Sequence, residues 1–423
     1  MTTDISAAVA QYADRLHAAI GDSHHVASPL GAWLLLALAA PAATGPTRAA
    51  MEKALGTDAA TAAKATHALL AQPHPLVRAA TAFWQRQPGS RTARLDRWLA
   101  ALPGSTTTGP LPEQAELDAW AREHTLGLIK EFPIAVAPQT LLILANALAT
   151  RVSWAEPFRV ASADALGSGS PWAGGLRRVL RSPEHNHRCW IADTEWAGTV
   201  AVHAAPARPA VTDRGAGLLV VSVAAAPDVP AGYVLAAAHE VATAAADAPE
   251  RDLPTRRRSL FRIPLGESPL WTLREEHIFT DAPDGREERL TAVLPCWSAG
   301  SRHDLMGRGL GFAAAAEAFG ELLGSPELGF EAVQQAMARY GRYGFEAAAV
   351  TVLHAAVSLP PPGVARIAEL RFGHPYAVVA VATDSRGGGD VPGPWHGMPV
   401  FSAWVAEPEE LPEADVAGRR DIG

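Results

Sequence analysis

Residues Leu142–Phe158 read LILANALATRVSWAEPF. With the two residues before it, the segment gives a run from Thr140 to Ala149 that is apolar almost without interruption. A run of that kind predicts a strand buried on both faces, in the middle of a covered sheet. Asn146 is the polar exception, and Trp154, Pro157 and Phe158 follow the run.

Outward from that strand the chain alternates between the two periods. Ala8, Tyr12, Leu16 and Ile20 fall at helical spacing, and Gly21 ends that helix. His25 to Ala27 reads as a short strand. Ser28-Pro29 then opens a second helix, with serine as cap and proline in the first turn. Arg48 to Leu55 continues as helix up to Gly56. Residues 60 to 100 read as helical around an insert at AQPHP, and Leu117 to Phe132 as a helix stopped by Pro133. From about residue 178 the pattern alternates and predicts strands. LLVVSVAA (Leu218–Ala225) and YAVVAVA (Tyr376–Ala382) read as buried ones, and Arg308 to Leu323 as helix. No internal repeat and no stretch of linker length interrupts this order. A single α+β domain over residues 1–410 is expected, followed by a polar tail at 411–423.

Composition limits the function classes. The 423 residues are 48% hydrophobic and 19% charged, which describes a globular chain. The net charge of −8 argues against nucleic acid as a partner. The one dense basic run, Arg256 to Arg258, reads as a solvated turn. Two cysteines, Cys189 and Cys296, fit a reducing compartment. The N-terminus lacks the basic-then-apolar order of a secretion signal. The longest apolar run, Ala32 to Ala40, is too short to span a bilayer. A cytoplasmic location and no membrane partner are the expectation.

The motifs that carry chemistry are sparse. GDSHH (Gly21–His25) has the Gly-Asp-Ser triplet of some ester hydrolases, but it follows a helix, where the triplet is an ordinary turn. His185, His187 and Cys189 alternate in SPEHNHRCW, so on a strand they would share a face. No fourth metal ligand is evident, and no glycine-rich phosphate loop follows a strand. No catalytic residue, metal or cofactor is assigned.

Several segments, in order, resemble the serpin family: HVASPLGAWLLLALAA, TGPTRAAMEKALG, HTLGLIKEF, LILANALATRVSWAEPF, AVLPCWS, YGFEAAAVTV, RFGHPYAVVAVA and GMPVFSAWVAEP. They run from about residue 10 to residue 408. The match is carried most by Asn146, Trp154, Pro157 and Phe158. The resemblance implies a large central, mostly antiparallel sheet A, further sheets B and C, helices packed around them, and an exposed reactive-centre loop at about 344–363. It implies a polar cluster of Ser28, Asn146 and Gln334 where sheet A opens, with Trp154 nearby. It further implies a suicide inhibitor of serine or cysteine proteases, acting as a monomer. A target cuts the loop, and the freed hinge enters sheet A as a new strand. A non-inhibitory binding or carrier protein is the alternative within the same fold.

The loop residues suit that role. Gly344 can take the angles of a turn-out point. Glu346, Ala347, Ala348 and Ala349 are followed by Val350 and Thr351, so small residues precede strand formers. In an inserted strand Phe345, Ala347, Ala349 and Thr351 share one face. Pro360 to Pro362 lack amide protons and mark where insertion stops. Family spacing puts the scissile bond at Ser358-Leu359, with Val357-Ser358 next. Small or aliphatic residues there imply an elastase-like or subtilisin-like serine protease. The departures from the pattern are Phe345 for a small residue, Arg342 and Tyr343 for acids, Gly31, Gln334 for a histidine, and Gly373 for an acid or amide before His374.

Overall fold

The computed structural model describes residues 5–86, 92–137, 140–210, 215–247, 257–324, 330–344, 361–387 and 391–416. Phe345, Glu346, Ala347, Ala348, Ala349, Val350, Thr351, Val357, Ser358 and Leu359 lie outside the described residues.

The N-terminal third opens with α1 (Ile5–Ile20), the short strand β1 (His25–Ala27) and the buried helix α2 (Pro29–Ala39). Ser28 caps α2, its hydroxyl accepting from Gly31 N at 3.1 Å. Helices α3 (Gly45–Leu55) and α4 (Ala59–Ala71) follow, the first closed by Gly56 at φ +72°. Next come β2 (Arg78–Gln85), α5 (Ala93–Ala100), β3 (Thr107–Pro110), α6 (Gln114–His124) and β4 (Leu142–Ala149). The middle of the chain is mostly strand: β5 (Arg159–Ser162), β6 (Arg178–Arg181), β7 (Arg188–Thr194), β8 (Gly198–Pro206) and β9 (Ala216–Ala224). Helix α7 (Ala231–Asp247) leads to β10 (Gly266–Glu267), β11 (Trp271–Phe279), β12 (Arg286–Leu294) and β13 (Trp297–Asp304). Helix α8 (Phe312–Leu323), β14 (Val333–Tyr340), β15 (Pro362–Arg371), β16 (Tyr376–Asp384), β17 (Pro399–Val405) and the short α9 (Glu413–Val416) complete it.

These strands build an α+β fold. One six-stranded sheet has the order β1-β17-β16-β9-β8-β7, and its outer face is covered by α7 through Val234, Leu235, Ala238 and Ala242. A second has the order β10-β11-β15-β12-β6-β5. The third and central sheet stands as two hydrogen-bonded pieces, β3-β2-β4 and β13-β14. Most pairs are antiparallel; β2 with β3 and β12 with β15 are parallel. Helices α1 to α5 and α8 gather around Leu30, Trp33, Leu34, Leu36 and Trp98 to form the largest core. A second core, with Trp154, Trp297, Tyr340, Phe372 and Tyr376, lies between the β13–β14 piece and the first sheet.

Four sequence expectations are corrected. Strand β2 occupies part of the stretch read as helix between 60 and 100. Its Ala79, Ala80 and Ala82 carry helix preference, but pairing with β3 and β4 on both sides overrides it. Helix α6 stops at His124, well short of Phe132. Leu126 (φ +57°) and Gly127 (φ +76°) turn the chain there, and the Thr125 hydroxyl accepts from Ile129 N at 3.0 Å. Helix α7 lies within the region read as strands, its alanines packing flat on the sheet. Strand β4 is not buried on both faces: its residues alternate half-buried and buried. Ile143 and Ala145 pack with Trp84, Leu117 and Phe132, while Leu142, Leu144 and Leu148 face the interior less completely.

Candidate functional site

That partial exposure has a cause. Among the described residues β4 pairs with β2 and not with β14, and β14 pairs with β13. A cavity of about 450 Å³ touches both edges, from Leu142 to Leu148 on β4 and from Val333 to Gln335 on β14. Its floor is apolar, formed by Ala32, Leu35 and Ala39 of α2 and by Phe312, Ala315 and Phe319 of α8. Each facing edge is eight residues long. A free edge offers its backbone donors and acceptors to any added strand.

Polar residues tie each piece to the α2 N-terminus. Gln334 on β14 grips the backbone of Ser28 twice. Its Oε1 accepts from Ser28 N at 2.8 Å, and its Nε2 donates to Ser28 O at 2.8 Å. The Ser28 hydroxyl donates to Val400 O at 2.8 Å. On the other side Asn146 of β4 donates through Nδ2 to Gly31 O. A Cβ on Gly31 would stand 2.9 Å from Ser28 Oγ, so glycine leaves room for this convergence. Ser28, Asn146 and Gln334 therefore come together, with Gly31 as the hub.

Trp154 and Gly344 meet where β14 gives way to the loop. Trp154 is fully buried, its Nε1 donating to Gly341 O at 3.0 Å and its backbone N to Tyr343 O at 3.1 Å. Gly344 bridges Ser153 at φ +126°. A Cβ there would lie 2.4 Å from Val152 O and 2.6 Å from Ser153 Cα, so no other residue fits. Arg342 donates from Nε to Phe158 O at 3.1 Å and from Nη1 to Asp415 O, with Val416 O at 3.4 Å. Its guanidinium also lies 5.1 Å from the Tyr343 ring centroid. Arg342 and Tyr343, read as departures, thus anchor the turn between β14 and the loop. The segment read as a polar tail holds part of that anchor: Leu411 is buried and Val416 packs on the adjacent core.

The remaining candidates are dispersed. Ser23 is exposed in the turn before β1, and its carbonyl accepts from His25 Nδ1 at 2.7 Å. His185 is exposed, whereas His187 turns inward to His203 at 3.0 Å and Glu156 O at 2.8 Å. Burial pushes the His187 imidazole down to about 4 and the Cys189 thiol up to about 12. Among the described residues no group of three His, Cys, Asp or Glu side chains converges as a metal site, and no helix is long and apolar enough to cross a membrane. The sequence missed a set of buried histidines (His17, His25, His239 and His303) because four separate elements supply them. No local pattern announces such a cluster.

Comparison with known proteins bears on this arrangement. A serpin (serine protease inhibitor) family model matches residues 7–165. No curated protein matches the sequence. The thermophilic serpin tengpin in its native state superposes with a TM-score of 0.60 at 14% identity, over 96% of this chain and 95% of its own. Human thyroxine-binding globulin complexed with its hormone gives 0.59 at 14% identity, over 96% and 99%. AtSerpin1 of Arabidopsis, in its native stressed conformation, gives 0.58 at 15% identity, over 96% and 100%.

Proposed function

We propose that the chain is a serpin, since the serpin family model matches residues 7–165 and the fold superposes on solved serpins, and that it acts as a suicide inhibitor of serine or cysteine proteases. The observation that carries this reading is the pair of free, facing edges on β4 and β14. A strand laid between them would make roughly eight interstrand hydrogen bonds to each neighbour, each worth about 1 kcal/mol net. Seating the Phe345 ring costs about 1–3 kcal/mol if its site is tight.

In this reading the protease hydroxyl or thiol attacks the Ser358 carbonyl and Leu359 leaves as the new N-terminus. The freed residues Phe345 to Val357 then enter between β4 and β14 and carry the acylated protease with them. Gly344, already tucked against Val152 to Trp154, is the pivot. The favoured targets are elastase-like or subtilisin-like, and the molecule acts as a monomer. Two free, buried cysteines fit a cytoplasmic setting.

The test is incubation with pancreatic elastase and with subtilisin, read on denaturing gels and by N-terminal sequencing of the released fragment. An SDS-stable complex, a fragment beginning at Leu359 and a sharply raised melting temperature in the nicked chain are expected. Cleavage with turnover and no thermal gain would favour the non-inhibitory binding reading, to which the likeness to thyroxine-binding globulin lends support.

A further inference from the structure

A chain of buried imidazoles runs from the first sheet to the β13–β14 piece. His25 Nδ1 must donate, because its partner Ser23 O, at 2.7 Å, can only accept. Neutral His25 therefore accepts at Nε2 from His17 Nδ1, 2.8 Å away. His17 in turn accepts at Nε2 from the Ser402 hydroxyl, 2.6 Å away. Both rings are fixed in a single tautomer. His303 lies edge-on to His25 with centroids 5.9 Å apart, and its Nε2 donates to Val26 O at 2.7 Å. His239 of α7 stands 6.1 Å from His17, and neither of its ring nitrogens has a partner among the described residues.

The titratable groups acting on His17 are His25, His239 and His303. Those acting on His25 are His303 and His24. All are basic. Ser402 on β17 is neutral, as is Gln334, the β14 residue opposite His303. Arg302 and Asp304 flank His303 on β13 but are exposed, and Glu240 beside His239 is half-buried. Acid can add one proton to His17 Nε2, since the Ser402 hydroxyl can turn round and accept. A second proton, on His25 Nε2, would set N–H against N–H across 2.8 Å. The same charge on His25 faces His303 across the joint between β1 and β13. That joint rests on few polar contacts: His24 Nε2 to Ser298 O at 2.9 Å, Val26 N to Ser301 Oγ at 3.1 Å, His303 to Val26 O, and Gln334 to Ser28.

We propose that the chain His239–His17–His25–His303 is an acid-operated release that detaches the β13–β14 piece of the central sheet from β1. Neutral, it clamps that piece; twice protonated, it lets the piece swing and widens the space beside β4. The device needs no protease and stands whether or not the chain inhibits one.

Hydrogen–deuterium exchange of the intact protein at pH 7.5 and 5.0, corrected for intrinsic rates, tests it. Peptides covering Trp297–Asp304 and Val333–Tyr340 should exchange at least tenfold faster at pH 5.0. The double variant H17Q/H25N keeps amides facing Ser402 and Ser23 but cannot titrate, and should show no acceleration. Should that pair fail to fold, His25→Asn alone removes the second protonation site, keeps an amide toward Ser23 O and leaves the joint's own contacts in place, and should abolish most of the acceleration. Equal exchange at both pH values in the unaltered protein overturns the proposal. So does acceleration that persists undiminished in either variant.

Discussion

Single residues decide whether the central sheet stays divided. Gln334 stands in the sequence where the family resemblance has a histidine, and in the fold its amide holds both backbone groups of Ser28. Replacing it with alanine takes the partner from the buried Ser28 N, while Ser28 O keeps its bond from Ala32 N at 3.1 Å. A loss of about 1–3 kcal/mol follows, since an unsatisfied backbone group keeps its full desolvation cost. Urea unfolding of Gln334→Ala against the parent measures it, and an unchanged midpoint would refute the clamp. Gly344 is more stringent. Its φ of +126° and the Cβ clash with the Val152 and Ser153 backbone apply to any side chain. Gly344→Ala should destabilise the chain by about 1–3 kcal/mol through strain at this one position. A thermal melt indistinguishable from the parent would show that the pivot is not packed as described. Glycine's freedom was legible in the sequence; the collision that makes it obligatory was not, because Val152 and Ser153 come from a distant segment.

At the scale of elements, burial pattern proved harder to read than element type. The Leu142–Ala149 strand was predicted from its apolar run, yet its half-buried residues record an open edge that no one-dimensional pattern encodes. Strand β2 was hidden for a related reason: alanine suits either period, and long-range pairing chose. Helix α7 was lost the same way, its alanines being compatible with both structures. The cap at Ser28 was legible because capping is local. An inserted loop would alternate like its neighbours, with Ala349 on the face shared by Phe345, Ala347 and Thr351. Ala349→Arg would force a guanidinium toward the apolar floor made by α2 and α8, a burial that costs several kcal/mol per unpaired charge. The expected phenotype is a loop still cut at the same bond, with no stable protease complex and no thermal gain after cutting. Complex formation at the parental rate would show that this face never enters the sheet.

For the molecule as a whole, the buried imidazoles give stability a direction with pH. Burial holds His17 and His203 well below the usual histidine range, and His25, His187 and His239 at about 4. His303 is lowered too, its bond to Val26 O offsetting part of the effect. Unfolded, each would titrate near its ordinary value of about 6.5. The unfolded chain therefore binds more protons between about pH 6.5 and 4, and stability must fall with pH across that window. Above about 6.5 both states are neutral and the contribution is fully present. Each fully shifted histidine is worth on the order of 3 kcal/mol at the acid end. Several together would bring a typical domain stability of about 5–15 kcal/mol close to zero. Unfolding midpoints in urea from pH 8 to 4.5 should be level down to about 6.5 and then drop steeply. His187, just before β7, pairs with His203 on β8, away from the β1–β13 joint. The H17Q/H25N variant should therefore keep part of the global slope while losing the local acceleration of exchange in β13 and β14. A midpoint that stays level to pH 5 would mean that these histidines are not neutral in the folded chain.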